Sequence, residues 1–436
     1  MKNQSASPAA PVQYVEIDET RCNGCVLCMK ACPTKAVRVH EGRVAQVIGV
    51  CVDCGECVRV CPRGAIRAIT SDKGDMARAK YSVVSGSTVL YSQFGEEVTP
   101  NDILLGLKRM GFSYVHDQSY TNEMFNVAIE LYIQENREKQ HAPWPLISPV
   151  CPVVVRLIAC RFPALLHHIP PLAAPREIVA REVKMRLSLK HGCDVSEIKA
   201  LHITPCPAKM IEIREPFFQN HSYIDGAVGI SDIYGSLKKS IEEVEEDKVL
   251  HHSGGIGLGW GMSGGEISGV QMNCLAVSGL QETINYLEKI EMGRLANIDY
   301  IEFRTCSEGC VGGLFTVADK YQAKRYLQQL VRMYGVEKRV KYEYVKKLYK
   351  NGWFFAEKNR YVEQITLPKN ALSERIKRQK RVEEVLAQLP RKECGHCGSP
   401  DCATFAEDVV DGRASLGDCL YFRGKSTRSV SVKEKR

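Results

Sequence analysis

The run Cys22-Asn23-Gly24-Cys25-Val26-Leu27-Cys28-Met29-Lys30-Ala31-Cys32-Pro33 recurs as Cys51-Val52-Asp53-Cys54-Gly55-Glu56-Cys57-Val58-Arg59-Val60-Cys61-Pro62. The same CxxCxxCxxxCP pattern, twice, is an internal duplication. Zinc also uses CxxC pairs, but four regularly spaced cysteines closed by a proline, repeated, point to iron–sulfur ligation. In such paired runs the fourth cysteine ligates the other cluster. One 4Fe–4S cluster is therefore expected on Cys22, Cys25, Cys28 and Cys61, and a second on Cys51, Cys54, Cys57 and Cys32. Pro33 and Pro62 lack an N–H and fix φ, which suits a tight turn at a ligand. The short segments 37–40 and 44–48 read as a small hairpin between the two runs.

Composition sets the bounds around this block. The chain has 436 residues, 44% of them hydrophobic, enough for two or three domains. Nineteen cysteines would imply disulfides only in an oxidising compartment, and their spacing argues for metal thiolates instead. Fifty-nine Lys and Arg against 51 Asp and Glu give a modest +8, and no basic motif interleaves with aromatics, so a nucleic-acid partner is not expected. No window of 18 or more apolar residues is present, and the segment 1–13 lacks an apolar signal core. The expectation is a cytoplasmic protein with no membrane partner.

From about residue 80 to 369 helices and strands alternate. Apolar residues at three- and four-residue intervals predict helices over 121–138, 175–190, 280–290 and 319–334. The segments 201–204 and 297–303 read as short buried strands, and each leads into a cysteine motif. Strand ends opening into cysteine-bearing loops are a natural way to converge ligands at one edge of a sheet. The charged run 238–248 reads as a solvated helix or loop. Within the glycine-rich stretch 253–265, residues 259–264 fit GxGxxG literally, but no strand runs into them and no P-loop lysine follows. These glycines are read instead as letting backbone pass close to a cofactor or another strand.

Three further motifs carry cysteine among Pro, Gly and small residues. They are Val150-Cys151-Pro152, Thr204-Pro205-Cys206-Pro207-Ala208-Lys209, and Cys306-Ser307-Glu308-Gly309-Cys310. Cys160, Cys193 and Cys274 stand alone and read as small buried hydrophobes. Near the C-terminus, Cys394-Gly395-His396-Cys397-Gly398-Ser399-Pro400-Asp401-Cys402 is followed by Cys419. This looks like the small Fe–S domain found beside electron-transfer and sensory proteins, with Cys394, Cys397, Cys402 and Cys419 holding a further 4Fe–4S cluster. Four cysteines suffice, so His396 is not expected to ligate. The segment 405–412 is expected to form the helix between ligands.

Position by position, Cys151, Cys206, Cys306 and Cys310 resemble the ligands of the active-site cluster of the FeFe hydrogenases, and that resemblance covers nearly the whole chain. It implies an α/β and α+β multidomain fold. Its parts are a ferredoxin-like domain with two 4Fe–4S clusters (12–72), a hydrogenase-like mixed α/β catalytic domain (73–375) and a small helical Fe–S domain (376–424). A disordered tail (1–11) and a basic tail (425–436) flank them. The resemblance also implies an H-cluster, in which the four cysteines hold a 4Fe–4S cubane. Cys310 would bridge to a diiron unit bearing CO, cyanide and a dithiolate, and Lys209 would donate a hydrogen bond to a cyanide.

Several positions depart from the family pattern. Catalytic members carry a proton-shuttling cysteine directly before the first ligand, and here that residue is Val150, which cannot titrate. Counting back from Cys151 places Glu130 at a pathway glutamate, while the next pathway carboxylate becomes Ile133. Losing a positioned proton carrier costs about 10²–10⁴ in rate. Thr204 and Arg304 stand where catalytic enzymes place methionines. A charged Arg304 would favour more reduced cofactor states. On a strand, Glu302 and Arg304 would share one face and partly neutralise each other. Glu308 puts a carboxylate where the family keeps small residues.

These departures resemble the sensory FeFe hydrogenases. They imply slow, reversible H2 oxidation and proton reduction, with cluster redox state reporting hydrogen to a partner. The expected partners are H2 and protons, a redox protein such as ferredoxin, a downstream signalling protein and the maturases that build the diiron cofactor. Two alternatives stand beside this reading. One is an ordinary ferredoxin-linked hydrogenase with another proton route, through Glu308 or Cys160. The other is a non-catalytic Fe–S scaffold without a diiron site, against which the retained Lys209 argues.

Overall fold

The duplicated cysteine run folds as two equivalent turns. In each, the residue after the second cysteine takes the left-handed conformation, Val26 at φ 60° and Gly55 at φ 79°. Glycine adopts this freely, whereas a β-branched valine there is strained by roughly 1–3 kcal/mol and persists only where the surroundings dictate it. A short helix follows each turn, Leu27–Ala31 and Glu56–Arg59. Strand β1 (Val15–Ile17) precedes both turns in sequence, and the hairpin expected between them forms as β2 (Val37–Arg38) antiparallel to β3 (Gln46–Val47). Strand β4 (Ile66–Ala68) then closes back antiparallel onto β1.

The computed structural model describes residues 15–39, 44–71, 79–137, 143–244, 248–357 and 369–422. The tails expected at 1–11 and 425–436 lie outside the described residues, as do His40 of the hairpin and Glu138 of the first long helix. The chain divides into two compact units. Met1–Cys51, Gly55–Ala68 and Glu363–Arg436 form one, so the N-terminal cysteine repeat, apart from Val52–Cys54, belongs with the C-terminal cysteine motif; Val52–Cys54 and Ile69–Val362 form the other.

The second unit carries two parallel sheets. One runs in the order β6 (Tyr114–His116), β5 (Tyr81–Gly86), β8 (Ile198–Thr204) and β9 (Gly226–Gly229). The other runs β10 (Cys274–Ser278), β11 (Tyr300–Arg304) and β7 (Leu146–Ile147). Parallel strands buried on both faces read as continuous apolar runs, and β11 is buried at all five residues. The long helices are Gln118–Arg137, Pro175–His191, Leu280–Glu291 and Lys320–Tyr334, the last capped by the Asp319 carboxylate. The charged run begins as the end of helix Ile230–Glu242.

Helix Gln118–Arg137 turns a buried polar face to the glycine-rich stretch. Glu123 accepts from the Gly254 N–H at 2.5 Å, and Asn126 accepts from the Trp260 indole at 2.9 Å. A Cβ on Gly257 would lie 2.2 Å from the Ser119 carbonyl oxygen. These glycines therefore permit backbone contact between segments.

Candidate metal centre

Strand ends deliver the candidate ligands. Cys151 follows β7 and begins helix Pro152–Arg161, Cys206 follows β8, and Cys306 and Cys310 follow β11. In open α/β sheets ligands gather outside the carboxyl ends of strands. All four cysteines line one cavity of about 490 Å3, together with Val150, Lys209, Arg304, Thr305, Asp53 and Cys54. Cys54 also packs in a small apolar cluster with Cys151 and Cys206.

The loops are held from behind. The Thr204 hydroxyl accepts from the Cys206 N–H at 3.2 Å and donates to the Cys206 carbonyl at 3.0 Å. Thr204 thus shapes the ligand loop through its backbone. The glycine-rich stretch buttresses the other loop: Ser263 N–H donates to the Glu308 carbonyl at 3.0 Å, and Gly309 at φ 91° brings its Cα within reach of Ser263. A side chain on Gly309 would meet the Ser263 nitrogen at 2.4 Å.

Cations surround the thiols. Lys209 is 7% exposed and Arg304 2% exposed. Arg304 donates to Glu266 at 2.6 Å, lies 3.6 Å from Glu302 and lines the cavity. Burial works against its charge, but Glu266 and Glu302 hold the guanidinium well above its usual range. Burial raises the Cys310 thiol, while Arg304 and Lys209 pull it down. A third cation, Arg176, is buried at the start of helix Pro175–His191, donates to the Val150 carbonyl at 3.1 Å and pairs with Glu212. Nothing in the local sequence marks it, because its partners lie 26 and 36 positions away.

Behind Arg304 sits a fully buried acid network. Glu266 accepts from Ser148 at 3.0 Å and from Tyr300 at 2.5 Å, and Glu302 accepts from the backbone of Gly264, Glu266 and Ile267 at 3.1–3.3 Å. Burial, and then Glu266, push the Glu302 carboxyl upward against the pull of Arg304. Glu266 escaped the sequence reading because a lone acid after a glycine run carries no periodic signal.

Val150 sits beside Cys151 with its N–H donating to Ser148 at 3.2 Å, and it lines the cavity. Glu130 is buried, accepts from the Gln271 N–H at 2.8 Å and pairs with Lys338 at 2.9 Å; it is not among the cavity-lining residues. Ile133 is fully buried in the core. Glu308 pairs with Lys324 at 2.6 Å. Cys160, expected to be buried, is exposed at the end of its helix.

Eight further cysteines rim two smaller hollows. One, of about 330 Å3, is lined by Cys22, Cys25, Cys28 and Cys61; another, of about 320 Å3, by Cys394, Cys397, Cys402 and Cys419, with His396 on its wall. The fourth cysteine of each N-terminal run accepts an equivalent amide bond, Ala36 N–H to Cys32 at 3.2 Å and Ala65 N–H to Cys61 at 3.3 Å. Burial pushes the Cys57 thiol up to about 12, with Cys32 and Cys28 adding to it. Among the described residues no three His, Cys, Asp or Glu side chains converge closely enough for a single metal ion. Cysteines ringing hollows, with N–H donors aimed at sulfur, instead fit Fe–S clusters, whose potentials such hydrogen bonds tune.

Comparison with known proteins agrees with this chemistry. A 4Fe-4S dicluster domain matches residues 14–62 and a putative Fe-S cluster domain matches 389–421. Iron hydrogenase 1 of Clostridium pasteurianum is 24% identical over 310 residues, 61% of this chain and 53% of that protein. The periplasmic Fe hydrogenase large subunit of Nitratidesulfovibrio vulgaris is 24% identical over 279 residues, 58% of this chain and 66% of its own. The chain thus spans about half the length of the first relative. A variant of FeFe hydrogenase HydA1 from Chlamydomonas reinhardtii shares the fold, with a TM-score of 0.53 at 15% identity over 66% of this chain and 96% of that one. The family described as iron only hydrogenase large subunit, C-terminal domain, matches residues 80–271 and 262–314. That is more than half of the chain, which therefore belongs to the FeFe hydrogenase family.

Proposed function

We propose that the chain is a slow hydrogenase, H2 ⇌ 2H⁺ + 2e⁻, whose redox state reports hydrogen to a partner protein. The observation that carries this reading is Val150: a side chain without a titratable proton lines the cavity beside Cys151. In the proposed site Cys151, Cys206, Cys306 and Cys310 hold the cubane of the H-cluster. When bound there, the cofactor supplies the iron centre at which hydrogen is bound and cleaved. Lys209, which lines the cavity, would orient an anionic ligand of that cofactor by a charge-assisted hydrogen bond. Arg304 and Arg176 add buried positive charge, which favours reduced states. Val150 holds no proton for exchange, and Glu130, tied to Lys338, is a poor relay. The N-terminal and C-terminal cysteines would hold 4Fe–4S clusters, which would supply one-electron redox centres for exchange with a partner.

A faster ferredoxin-linked enzyme is the second reading. It draws on the Ser148–Glu266–Tyr300 chain behind Arg304, which offers titratable groups close to the cavity. Turnover by protein matured with the diiron cofactor separates the two. Slow evolution of hydrogen from reduced dye, with hydrogen-dependent change in the cofactor's infrared bands, supports the sensor. Fast evolution in the unaltered chain moves the assignment to the second reading.

A further inference from the structure

The C-terminal module and the N-terminal repeat meet at residues adjacent to their cysteine ligands. Lys30, two positions after Cys28, donates to the Glu393 carbonyl at 2.5 Å and to the Pro400 carbonyl at 2.7 Å. Glu393 precedes Cys394, and Pro400 lies between Cys397 and Cys402. Gly395, held at φ 77°, packs so closely that a Cβ would stand 3.0 Å from Met29 Cε and 3.1 Å from Lys30 Cε. Met29 is fully buried.

The docking is extensive and charged. Arg38 binds Asp408 at 2.5 and 3.2 Å, and both side chains are buried, at 4% and 1% exposure. Asp408 also accepts from Ser399 at 2.7 Å, so the ion pair locks the ligand loop of the C-terminal module itself. Lys35 pairs with Asp401, the residue before Cys402. Val39 N–H donates to the Gly398 carbonyl at 2.9 Å, extending the hairpin strand onto the loop that follows Cys397. Buried pairs of this kind are strongly destabilised when one partner is removed, so they fix one geometry.

We propose that the C-terminal cluster is wired directly to the cluster on Cys22, Cys25, Cys28 and Cys61, across the Met29–Lys30–Gly395 contact. The last cysteines in sequence are then the neighbours of the first, and the C-terminal module is the outer station of the relay, the point at which a partner exchanges electrons with the chain. Its Cys394 is exposed. One cluster is oxidised by one electron as its neighbour is reduced by one, with no bond made or broken. This inference rests on the reading that these cysteines hold 4Fe–4S clusters, and not on the diiron site.

Electron paramagnetic resonance of full-length protein with reconstituted 4Fe–4S clusters, lacking the diiron cofactor and reduced with dithionite, tests it. The wild type is expected to show a split, magnetically coupled signal. In a Cys51→Ser/Cys57→Ser background, which removes the coupling between the two N-terminal clusters themselves, the splitting should persist. Adding Cys394→Ser/Cys397→Ser should abolish it while the remaining N-terminal cluster is retained, as counted by iron content. Arg38→Glu in the same background, which sets like charge against Asp408, should lose the coupling with both remaining clusters retained. Removal of the C-terminal cluster that subtracts only an independent signal, leaving the rest unchanged in shape, overturns the proposal. So does loss of the splitting in the Cys51→Ser/Cys57→Ser variant alone, which would make the other N-terminal cluster the neighbour. Since no arm requires the diiron cofactor, failure here is distinct from failure of the hydrogenase reading.

Discussion

Arg304→Met exchanges the buried guanidinium for the residue type that catalytic relatives are expected to carry. The side chain is 2% exposed and faces Glu266 at 2.6 Å and Glu302 at 3.6 Å, and both acids are fully buried. Removing one partner of a buried pair costs about 3–5 kcal/mol. Glu302 keeps three backbone donors and Glu266 keeps Ser148 and Tyr300, so the low end, about 3 kcal/mol, is expected at pH 8. The pH dependence follows from the direction of the Glu302 shift, already upward through burial and Glu266. Without Arg304 the carboxyl rises further. A group whose folded pKa is raised penalises stability above its unfolded value, by about 1.4 kcal/mol per pH unit until the folded pKa is passed. The loss in Arg304→Met should therefore shrink as pH falls from 8 towards 5. Adding Glu302→Gln should restore roughly half of it by removing one stranded charge. Anaerobic urea unfolding of cluster-loaded protein at pH 8 and 6, followed by circular dichroism, measures all three. A loss below about 1 kcal/mol at pH 8, or one that grows on acidification, would mean that Arg304 does not hold the two buried carboxylates ionised.

Val150→Cys places a titratable thiol on the cavity wall and should raise hydrogen evolution by about tenfold or more, since a positioned proton carrier contributes about 10²–10⁴; an unchanged rate in a dye-linked assay would show that proton delivery is not limiting. Adding Lys338→Met releases Glu130 from its ion pair and should increase the gain, whereas no further change would remove Glu130 from any proton route. His202 is 1% exposed, and burial, then Lys209 and Arg176, depress its pKa well below the usual value. Its contribution is present above about pH 6.5 and is lost below it at about 1.4 kcal/mol per pH unit; unfolding profiles of wild type and His202→Gln that stay parallel from pH 7 to 5 contradict this. Asp408→Leu strips Arg38 of its partner and should destabilise the unit that contains both cysteine modules by about 3–5 kcal/mol. Limited proteolysis that releases no C-terminal fragment would count against it.

The Fe–S domains were legible because the spacing of their cysteines is local. CxxC turns, proline-closed runs and strand-to-cysteine junctions each fall within a dozen positions, and the helices expected at 175–190 and 280–290 end within one residue of those formed. What the sequence hid depends on distance along the chain. Glu266 meets Arg304 across 38 positions and Glu130 meets Lys338 across 208. Lys30 reaches carbonyls more than 360 positions away, so nothing local announces that the C-terminal module docks on the N-terminal repeat. Strand β5 was also missed. Its Tyr-Ser-Val-Val-Ser-Gly is short and mixed, and a parallel strand covered on both faces gives no alternation to read. The shared face of Glu302 and Arg304 followed from strand periodicity, but their common partner Glu266 did not.

In the proposed site Cys151, Cys206, Cys306 and Cys310 hold a hydrogen-responsive diiron-bearing cofactor. The decisive experiment is an infrared spectrum of protein matured with that cofactor, before and after exposure to hydrogen. Bands of bound CO and cyanide should shift under hydrogen and be altered in Lys209→Met. Protein that takes up its 4Fe–4S clusters but never shows those bands would contradict that reading and leave a scaffold in the hydrogenase's place.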